Sequence, residues 1–431
     1  MLTKAIKNAY LSILKEELVP AMGCTEPIAV AYAAARVRAL LGDVPDEMVA
    51  EVSGNIIKNV KSVVVPNTGG LRGLEAAIAA GAIGGDASKK LEVISALPKN
   101  QKAVIKRFIH EVPIKIVCAD TPHLLDIKIT GKTNGTGANK GHTATVRIAN
   151  NHSNIVLEEL DGKVLFEQPL TLSSEDNLTD KSVLNVKDIL AFVKKVSLEE
   201  LKPLVGVQIA CNVAIAKEGL VGDWGANIGS VLLAEGSTNI RNIMKAWAAA
   251  GSDARMSGCE LPVVILSGSG NQGITASVPV VKLAESLGAD EEQTMRAVAL
   301  SDLIAIEQKR GIGRLSAYCG AVSAGVGVGA AAAYLLDGSY KAIAHSIVNA
   351  VAIISGTICD GAKPSCAAKI AESIDAGVLG CEMWLHHQQF LGGDGIVTKG
   401  VDETIANIGI LAQEGMQVTD KKILEIMTER C

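Results

Sequence analysis

The sequence predicts an α+β protein in which a large, mainly helical catalytic domain is interrupted by a small β-rich lobe. Apolar and small residues recur at helical spacing over residues 1–110 and 186–431, whereas residues 111–185 enrich β-branched residues between turn signals. The helix predicted at 320–334 is built mainly from Gly, Ala and Val and is hydrophobic on every face. We therefore predict one discontinuous helical domain, formed by both ends of the chain around a central buried helix.

The first 110 residues predict helices separated by glycine turns. Residues 3–18 form the first helical pattern, and the Ala-rich run after "MGCTEP" predicts a second helix, with Thr25 as a cap and Pro27 in the first turn. The stretch "MVAEVSGNIIKNVKSVVVPNTGG" predicts a strand with a polar kink at 53–59 and then a glycine turn. "LRGLEAAIAAGAIGG" predicts a further helix, and another follows at 101–109.

The pattern changes at residue 111. "VPIKIVCA", "LLDIKITGK", "HTATVRIA" and "SNIVLEELDGKVLFEQ" predict strands, joined by turn signals such as "NGTG" and "NNHSN". Residues 171–183 are rich in Thr, Ser and Asp, which predicts a linker out of the lobe. From residue 186 onward the helical pattern returns, with Gly- and Ser-rich loops between the helices.

Composition and charge exclude several classes of function. A net charge of −5 offers no basic footprint for nucleic acid or for an anionic membrane, and the most apolar run, "GAVSAGVGVGAAAAYLLDG", is too short to span a bilayer. The N-terminal residues match neither a signal peptide nor a transit peptide. The nine cysteines are an odd number, which argues against a disulfide framework. We therefore expect a cytoplasmic protein with no nucleic-acid partner and no membrane partner.

Four cysteines stand in loops with Gly or Pro at the ends of predicted helices: Cys24, Cys319, Cys359 and Cys366. The paired spacing of zinc sites and the spacing of ferredoxins are both absent. Two interpretations stay open from spacing alone: buried structural cysteines, or three thiolates that hold a [4Fe–4S] cluster with one iron left open as a Lewis acid. A speculative hypothesis is that the terminal Cys431 reaches the open iron and inhibits. The remaining cysteines are interpreted as structural: Cys118, Cys211, Cys259 and Cys381.

Two glycine-rich loops are candidates for binding a small anion. "VPNTGGLRG" and "LSGSGNQGI" each precede an apolar helix, and backbone N–H groups at a helix N-terminus bind carboxylate or phosphate. Neither loop has the pattern of a phosphate loop or of a dinucleotide-binding fingerprint. Tight turns for close helix packing are the alternative interpretation. The candidate substrate-binding residues are Asn67, Thr68, Gly69, Ser269, Asn271 and Gln272.

Three cationic residues stand in similar loops. Arg255 in "GSDARMSG" and Arg314 in "GIGRLSA" each carry a guanidinium fork suited to a substrate carboxylate. Lys58 in "GNIIKNV" could act as a base if burial lowers its pKa. An ordinary ion pair is the alternative for each residue taken alone. We predict Lys58 and Arg255 as catalytic residues and Arg314 as a substrate-binding residue.

Six stretches, taken together and in this order, resemble the L-cysteine desulfidase family, whose members are relatives of the iron–sulfur L-serine dehydratases. They are "MGCTEPIAVAYAAA", "VPNTGGLRGLEAAIAAGAIGG", "GSDARM", "SGSGNQGI", "RLSAYCGA" and "ICDGAKPSCAAK", so the similarity is spread over most of the chain. The resemblance implies an oxygen-sensitive lyase that uses a [4Fe–4S] cluster. It also implies that L-cysteine is broken down to pyruvate, ammonia and hydrogen sulfide without pyridoxal phosphate.

The resemblance also implies the cluster ligands. The family's cluster cysteines correspond to Cys24, Cys319 and Cys359, whereas the analogy with the serine dehydratases would recruit Cys366 from the late motif. Four candidates for three places leave open whether Cys24 or Cys366 completes the set or acts on the substrate.

The predicted function is therefore that of an L-cysteine desulfidase in cysteine catabolism, with the amino acid as its small-molecule partner. Two alternatives remain at this point: an iron–sulfur L-serine dehydratase, and a non-catalytic amino-acid-binding protein in which the β lobe holds the ligand. A homodimer is the candidate oligomeric state.

Overall fold

The structure is a computed structural model that describes residues 3–135, 141–170, 178–313 and 315–429. The predicted fold class is confirmed, because the chain forms a mainly helical α+β fold with one six-stranded sheet. The helices are α1 (Lys4–Glu17), α2 (Thr25–Leu41), α3 (Gly54–Val60), α4 (Gly73–Gly84), α5 (Gln101–Glu111), α6 (Val186–Val193), α7 (Leu198–Leu201), α8 (Val207–Val221), α9 (Ile228–Gly236), α10 (Ile240–Met256), α11 (Gly270–Leu287), α12 (Glu291–Ile312), α13 (Gly320–Leu336), α14 (Tyr340–Ile353), α15 (Cys366–Leu385), α16 (Val401–Ile410) and α17 (Gln417–Glu429).

Eight strands are described, and short irregular helices join some of the elements. The strands are β1 (Val19–Met22), β2 (Glu47–Val52), β3 (Ile114–Cys118), β4 (Asp126–Lys132), β5 (Thr143–Ala149), β6 (Ile155–Leu160), β7 (Lys163–Glu167) and β8 (Pro262–Ile265). The 3₁₀ turns are Ala87–Glu92 and Lys181–Val183, and the π-helical turns are Lys202–Gly206 and Leu411–Gly415.

The six-stranded sheet has the order β3-β2-β4-β5-β6-β7. Strands β2 and β3 are parallel and the other neighbours are antiparallel, with Ala50 opposite Ile129 and Ile129 opposite Val146. These three residues are fully buried, because helix α2 covers this face of the sheet. The predicted lobe at 111–185 therefore gains a strand from the N-terminal segment, namely β2.

The predicted polar kink at 53–59 is a short helix, α3. Its polar residues face protein rather than water: Asn55 donates to Asp420, 3.0 Å away, and Asn59 donates to Glu26, 3.2 Å away. These partners come from distant parts of the chain, so the local sequence does not reveal them. The first part of the predicted linker, residues 171–177, lies outside the described residues.

The central buried helix is α13. Every residue from Ala321 to Ala333 is buried, and the helix packs against α11, α12, α14 and α15. Its contact with α15 brings backbone against backbone, since a Cβ added at Gly325 would lie 2.3 Å from the carbonyl oxygen of Ser373. Small residues are needed here because any side chain would push the two helices apart.

One helical stretch among the described residues, Leu198–Val221, has the length and composition of a membrane span. In its most apolar part, 33% of the residues are buried inside the protein. One such helix is weak evidence, because core helices of soluble proteins pass the same test. The predicted absence of a membrane partner stays a prediction.

Candidate active site

The four cysteines singled out by their loops line one cavity of about 100 Å³. Lys309 and Arg255 add positive charge to its wall, and Glu26 is the one carboxylate among the described lining residues. The full lining is Cys24, Glu26, Asn59, Arg255, Ser269, Asn271, Gln272, Lys309, Leu315, Ser316, Tyr318, Cys319, Gly320, Ala321, Cys359, Gly361, Ala362, Cys366 and Ile370.

A two-residue bridge brings Cys319 and Cys359 together. Tyr318 and Ile358 pair as an isolated antiparallel bridge. The Cys319 N–H donates to Thr357 O at 2.8 Å, and the Cys359 N–H donates to Ala317 O at 2.7 Å. Because alternate residues of paired strands point to the same face, the two thiols next to the bridge lie on one side of it.

Four helices begin at this cavity. Cys24 and Cys319 are the N-cap residues of α2 and α13, Cys366 is the first residue of α15, and Ser269 is the N-cap of α11. The N-terminus of a helix carries partial positive charge and unpaired N–H groups, so each one stabilises a thiolate or a carboxylate nearby. The sequence prediction of helix ends is confirmed for these residues, but it is wrong for Cys359, which lies in the loop between α14 and α15 beside the Tyr318–Ile358 bridge.

The side chains of Cys319 and Cys359 interact, and this interaction raises the pKa of Cys319 and lowers the pKa of Cys359. The cations Lys58 and Lys309 also lower the pKa of Cys359. Cys359 is therefore the thiol of the group that ionises most readily.

Cys24 and Cys366 lie on the apolar side of the cavity. They pack in a small cluster with Val63, Met256 and Ala362. Burial is the main reason that the pKa of each thiol is raised, and the negative charge of Glu26 raises that of Cys24 further. The Cys24 thiol donates to Glu26 Oε2 at 3.0 Å.

The loop between Cys359 and Cys366 is held by a small ionic cluster. Asp360 pairs with both Lys363 and Lys369, and the Lys369 ammonium also donates to Ile358 O at 2.7 Å. Burial raises the pKa of Asp360, but the two lysines outweigh it and lower the pKa to about 2. The carboxylate therefore stays ionised and fixes the tight turn that separates the two cysteines.

Polar groups from α10 and α11 also line the cavity. Arg255, only 2% exposed, donates from Nε to Gly23 O at 2.9 Å and from Nη1 to Asn271 Oδ1 at 3.1 Å. Gly270 makes this approach feasible, since a Cβ there would lie 2.3 Å from Arg255 Nε. Gln272 is buried and lines the cavity, and its Oε1 has no hydrogen-bond partner among the described residues.

Several predicted site residues do not line the cavity. Lys58 is buried and its ammonium pairs with Asp420 at 2.5 Å, behind the loop of Cys359. Asn67 donates to Ile94 O and Thr68 donates to Val65 O, so the loop that also contains Gly69 forms a tight turn. Arg314 and Cys431 lie outside the described residues. The cysteines interpreted as structural are also absent from the lining: Cys118, Cys211, Cys259 and Cys381.

The sequence analysis did not select Glu26, Asn59 or Lys309. Glu26 stands in the "GCTEP" motif, but an acidic residue in the first turn of a helix is also what the helix dipole favours. Asn59 and Lys309 are buried polar residues on α3 and α12, and only the fold brings them to the cavity. Glu26 is the one residue that a local motif could have revealed.

Comparison with known proteins identifies the family. Residues 88–425 match the family described as serine dehydratase alpha chain. The chain belongs to this family. A UPF0597 protein of Desulfitobacterium hafniense is 53% identical over 424 residues, covering 98% of this chain and 97% of the relative. A UPF0597 protein of Treponema denticola is 44% identical over 432 residues, covering 99% of this chain and 99% of the relative. A UPF0597 protein of Lachnoclostridium phytofermentans is 47% identical over 418 residues, covering 97% of this chain and 98% of the relative.

Family membership supports a lyase-type enzyme with chemistry of the iron–sulfur serine dehydratase kind. The matched range contains Cys319, Cys359 and Cys366, whereas Cys24 lies before it. Within the described part of the chain, no group of three or more His, Cys, Asp or Glu side chains is arranged to hold a metal ion. The four thiols thus share a cavity without forming a site for a single ion.

Proposed function

We propose that this protein is an L-cysteine desulfidase that uses a [4Fe–4S] cluster and no pyridoxal phosphate. The observation that carries the proposal is the composition of one cavity, whose lining combines four cysteines with an arginine and a helix N-terminus. The thiols suit a soft metal centre, and the polar wall suits the carboxylate of an amino acid.

The donor set fits an iron–sulfur cluster better than a single zinc ion. Thiolates are the ligands that iron–sulfur clusters use, and a cluster spans more space than one ion. We propose Cys319, Cys359 and Cys366 as the ligands, because these three interact electrostatically with one another and fall within the range matched by the family. Cys24 instead donates to Glu26 and is proposed to face the substrate.

A cluster held by three cysteines supplies a Lewis acid that eases departure of the substrate's sulfur. The chain's own residues bind and orient the amino acid: the guanidinium of Arg255 and the N–H groups that open α11 hold its carboxylate, beside Asn271 and Gln272. Loss of the Cα proton and of sulfide leaves aminoacrylate, which reacts with water to give pyruvate and ammonium. Lys58 as the base stays a prediction, and its ion pair with Asp420 gives that role no support.

Sulfur rather than oxygen in the substrate is favoured by the wall next to Cys366. Cys24 and Ala362 line the cavity beside Cys366, and Val63 and Met256 pack in the same cluster without lining it; all four are apolar or sulfur-containing. A site built for a substrate hydroxyl would be expected to place a hydrogen-bonding group there, because an unpaired buried hydroxyl is costly. A thiol tolerates this wall better than a hydroxyl does.

The test is an anaerobic assay of the reconstituted enzyme with L-cysteine and L-serine in parallel. The proposal expects sulfide and pyruvate in equal amounts from L-cysteine, with a kcat/KM at least about tenfold above that for L-serine. A preference for serine would support an L-serine dehydratase instead. Binding of L-cysteine without any product would support the amino-acid-binding alternative.

We also propose a cytoplasmic location. All eight described cysteines are free, as expected in a reducing compartment.

A further inference from the structure

Glu26 is held in the cavity by three donors. Its Oε2 accepts from Cys24 Sγ at 3.0 Å and from Thr25 Oγ1 at 3.1 Å, and its Oε1 accepts from Asn59 Nδ2 at 3.2 Å. The Thr25 hydroxyl also lies 2.8 Å from Gly268 O, and its single proton can serve only one of these two acceptors. A carboxylate accepts about four hydrogen bonds, so Glu26 keeps capacity for another donor.

His152 lies beside Glu26 without a hydrogen bond to it. Its Nε2 is 3.8 Å from Glu26 Oε1, beyond hydrogen-bond distance, and this nitrogen has no hydrogen-bond partner among the described residues. A carboxylate that lines a cavity and keeps acceptor capacity is a good anchor for a cationic group.

The charges of the cavity are complementary to a zwitterion. Arg255 and Glu26 both line the cavity, yet the described ion pair of Glu26 within 4.0 Å is with His152 and not with Arg255. Among the described residues no carboxylate pairs with Arg255, and His152 is a counter-ion for Glu26 only when it is protonated, so both cavity charges can take a partner from a ligand. An α-amino acid offers one partner to each wall: its carboxylate to Arg255 and its ammonium to Glu26.

We propose that Glu26 binds the α-ammonium group of the substrate and restricts the site to free α-amino acids. This inference rests on the proposed function, because it assumes that an amino acid occupies the cavity. It also gives the sheet a role, since His152 lies in the turn between β5 and β6 and holds Glu26 from behind. His152 is a positioning residue in this account.

Two analogues of L-cysteine test the proposal on the anaerobic holoenzyme. Cysteamine keeps the ammonium and lacks the carboxylate, whereas 3-mercaptopropionate keeps the carboxylate and lacks the ammonium. Binding of both is measured by calorimetry for wild type, Glu26→Gln and Arg255→Lys, together with iron content. We expect Glu26→Gln to weaken cysteamine binding at least about tenfold and to leave 3-mercaptopropionate within about twofold. Arg255→Lys should give the opposite pattern.

The results that overturn the proposal are specific. Equal loss of both analogues in Glu26→Gln would mean that the residue shapes the cavity without binding the ammonium. Loss of iron in that variant would mean that Glu26 serves the metal centre. Tighter binding of N-acetyl-L-cysteine than of L-cysteine by wild type would also contradict the inference. If wild type is active and any of these results is found, only the inference about Glu26 is contradicted. If wild type neither binds nor converts L-cysteine, the proposed function is contradicted as well.

Three further variants, compared in two pairs, test the assignment even if Glu26→Gln misfolds. Glu26→Asp keeps the charge and should bind cysteamine more tightly than Glu26→Gln does. His152→Gln keeps a donor near Glu26 and should retain more cysteamine affinity than His152→Leu, at equal iron content. Indistinguishable affinities within both pairs would overturn the assignment.

Discussion

The two walls of the cavity are built in different ways. The thiol wall carries Cys319, Cys359 and Cys366 and rests on helices α12, α13 and α15, which pack backbone to backbone. The polar wall carries Glu26, which accepts hydrogen bonds from Cys24 and Asn59, and Arg255, which donates to Gly23 and Asn271. The difference indicates that one wall is suited to hold a metal centre rigidly, while the other is suited to recognise a polar ligand.

Substitution of the cysteines is expected to have the largest effect, because it tests directly which wall holds the cluster. Cys319→Ser, Cys359→Ser and Cys366→Ser should each lower cluster retention by more than about 100-fold, because loss of even an outer-shell partner of a metal costs about 10–100-fold. Cys24→Ser should keep the iron content of wild type and lose activity. Iron and acid-labile sulfide are measured on anaerobic preparations.

Cys118→Ser is the matched control, since Cys118 is exposed and remote from the cavity lining. It should be indistinguishable from wild type. Iron loss in Cys24→Ser with retention in Cys366→Ser would reverse the assignment of the two walls.

The ion pair behind the thiol wall gives the next largest effect. Lys58 is 1% exposed and Asp420 is 14% exposed, and the pair joins α3 to α17. Asp420→Asn leaves a buried ammonium without its counter-ion and should lower the free energy of unfolding by about 3 kcal/mol. Urea unfolding followed by circular dichroism measures this.

Glu291→Gln provides the comparison for that variant. It breaks a pair with Lys202 in which both side chains are more than half exposed, and it should change stability by less than about 1 kcal/mol. Equal effects of the two substitutions would mean that the Lys58 pair contributes no more than a surface pair.

Helix packing beneath the thiol wall gives a smaller but specific effect. A Cβ at Gly325 would lie 2.3 Å from Ser373 O, so Gly325→Ala should force α13 away from α15 and cost about 1–3 kcal/mol. Both helices begin at a proposed ligand, so iron retention should fall with stability. Gly206→Ala, whose added Cβ meets only side-chain atoms at 3.4 Å or more, should be nearly neutral.

The sequence predicted helix ends correctly at Cys24, Cys319 and Cys366 because Gly, Pro and cap residues act locally, but not at Cys359, whose position depends on the bridge with residues 317–318. It predicted that α13 is buried because a helix that is apolar on all faces has no polar face to expose to solvent. Spacing alone could not tell which cysteines share a cavity, and only the family resemblance suggested it. The ion-pair partner of Lys58 lies on α17 and that of Glu26 lies in the β5–β6 turn. Both are distant in the chain, so no local sequence pattern predicts them.

The last prediction concerns the pH dependence of stability and a buried acid on α12, the helix that also carries Lys309 to the cavity. Burial raises the pKa of Asp302 to about 7, although Gln208 donates to it at 2.9 Å. The pKa is higher in the folded than in the unfolded state, so the folded protein binds more protons between about pH 4 and 7. Stability should therefore fall as pH rises through this window, by at most about 1.4 kcal/mol per pH unit from this group.

Asp302→Asn should remove this share of the slope, because the amide has no proton to lose. The measurement is the free energy of unfolding of the metal-free protein at several pH values from 5 to 8. Glu307, whose pKa burial also raises to about 7, should keep part of the slope in the variant. An unchanged slope in Asp302→Asn would show that Asp302 is ionised in the folded protein. Helix α12, which supports the thiol wall, would then carry a buried negative charge at position 302.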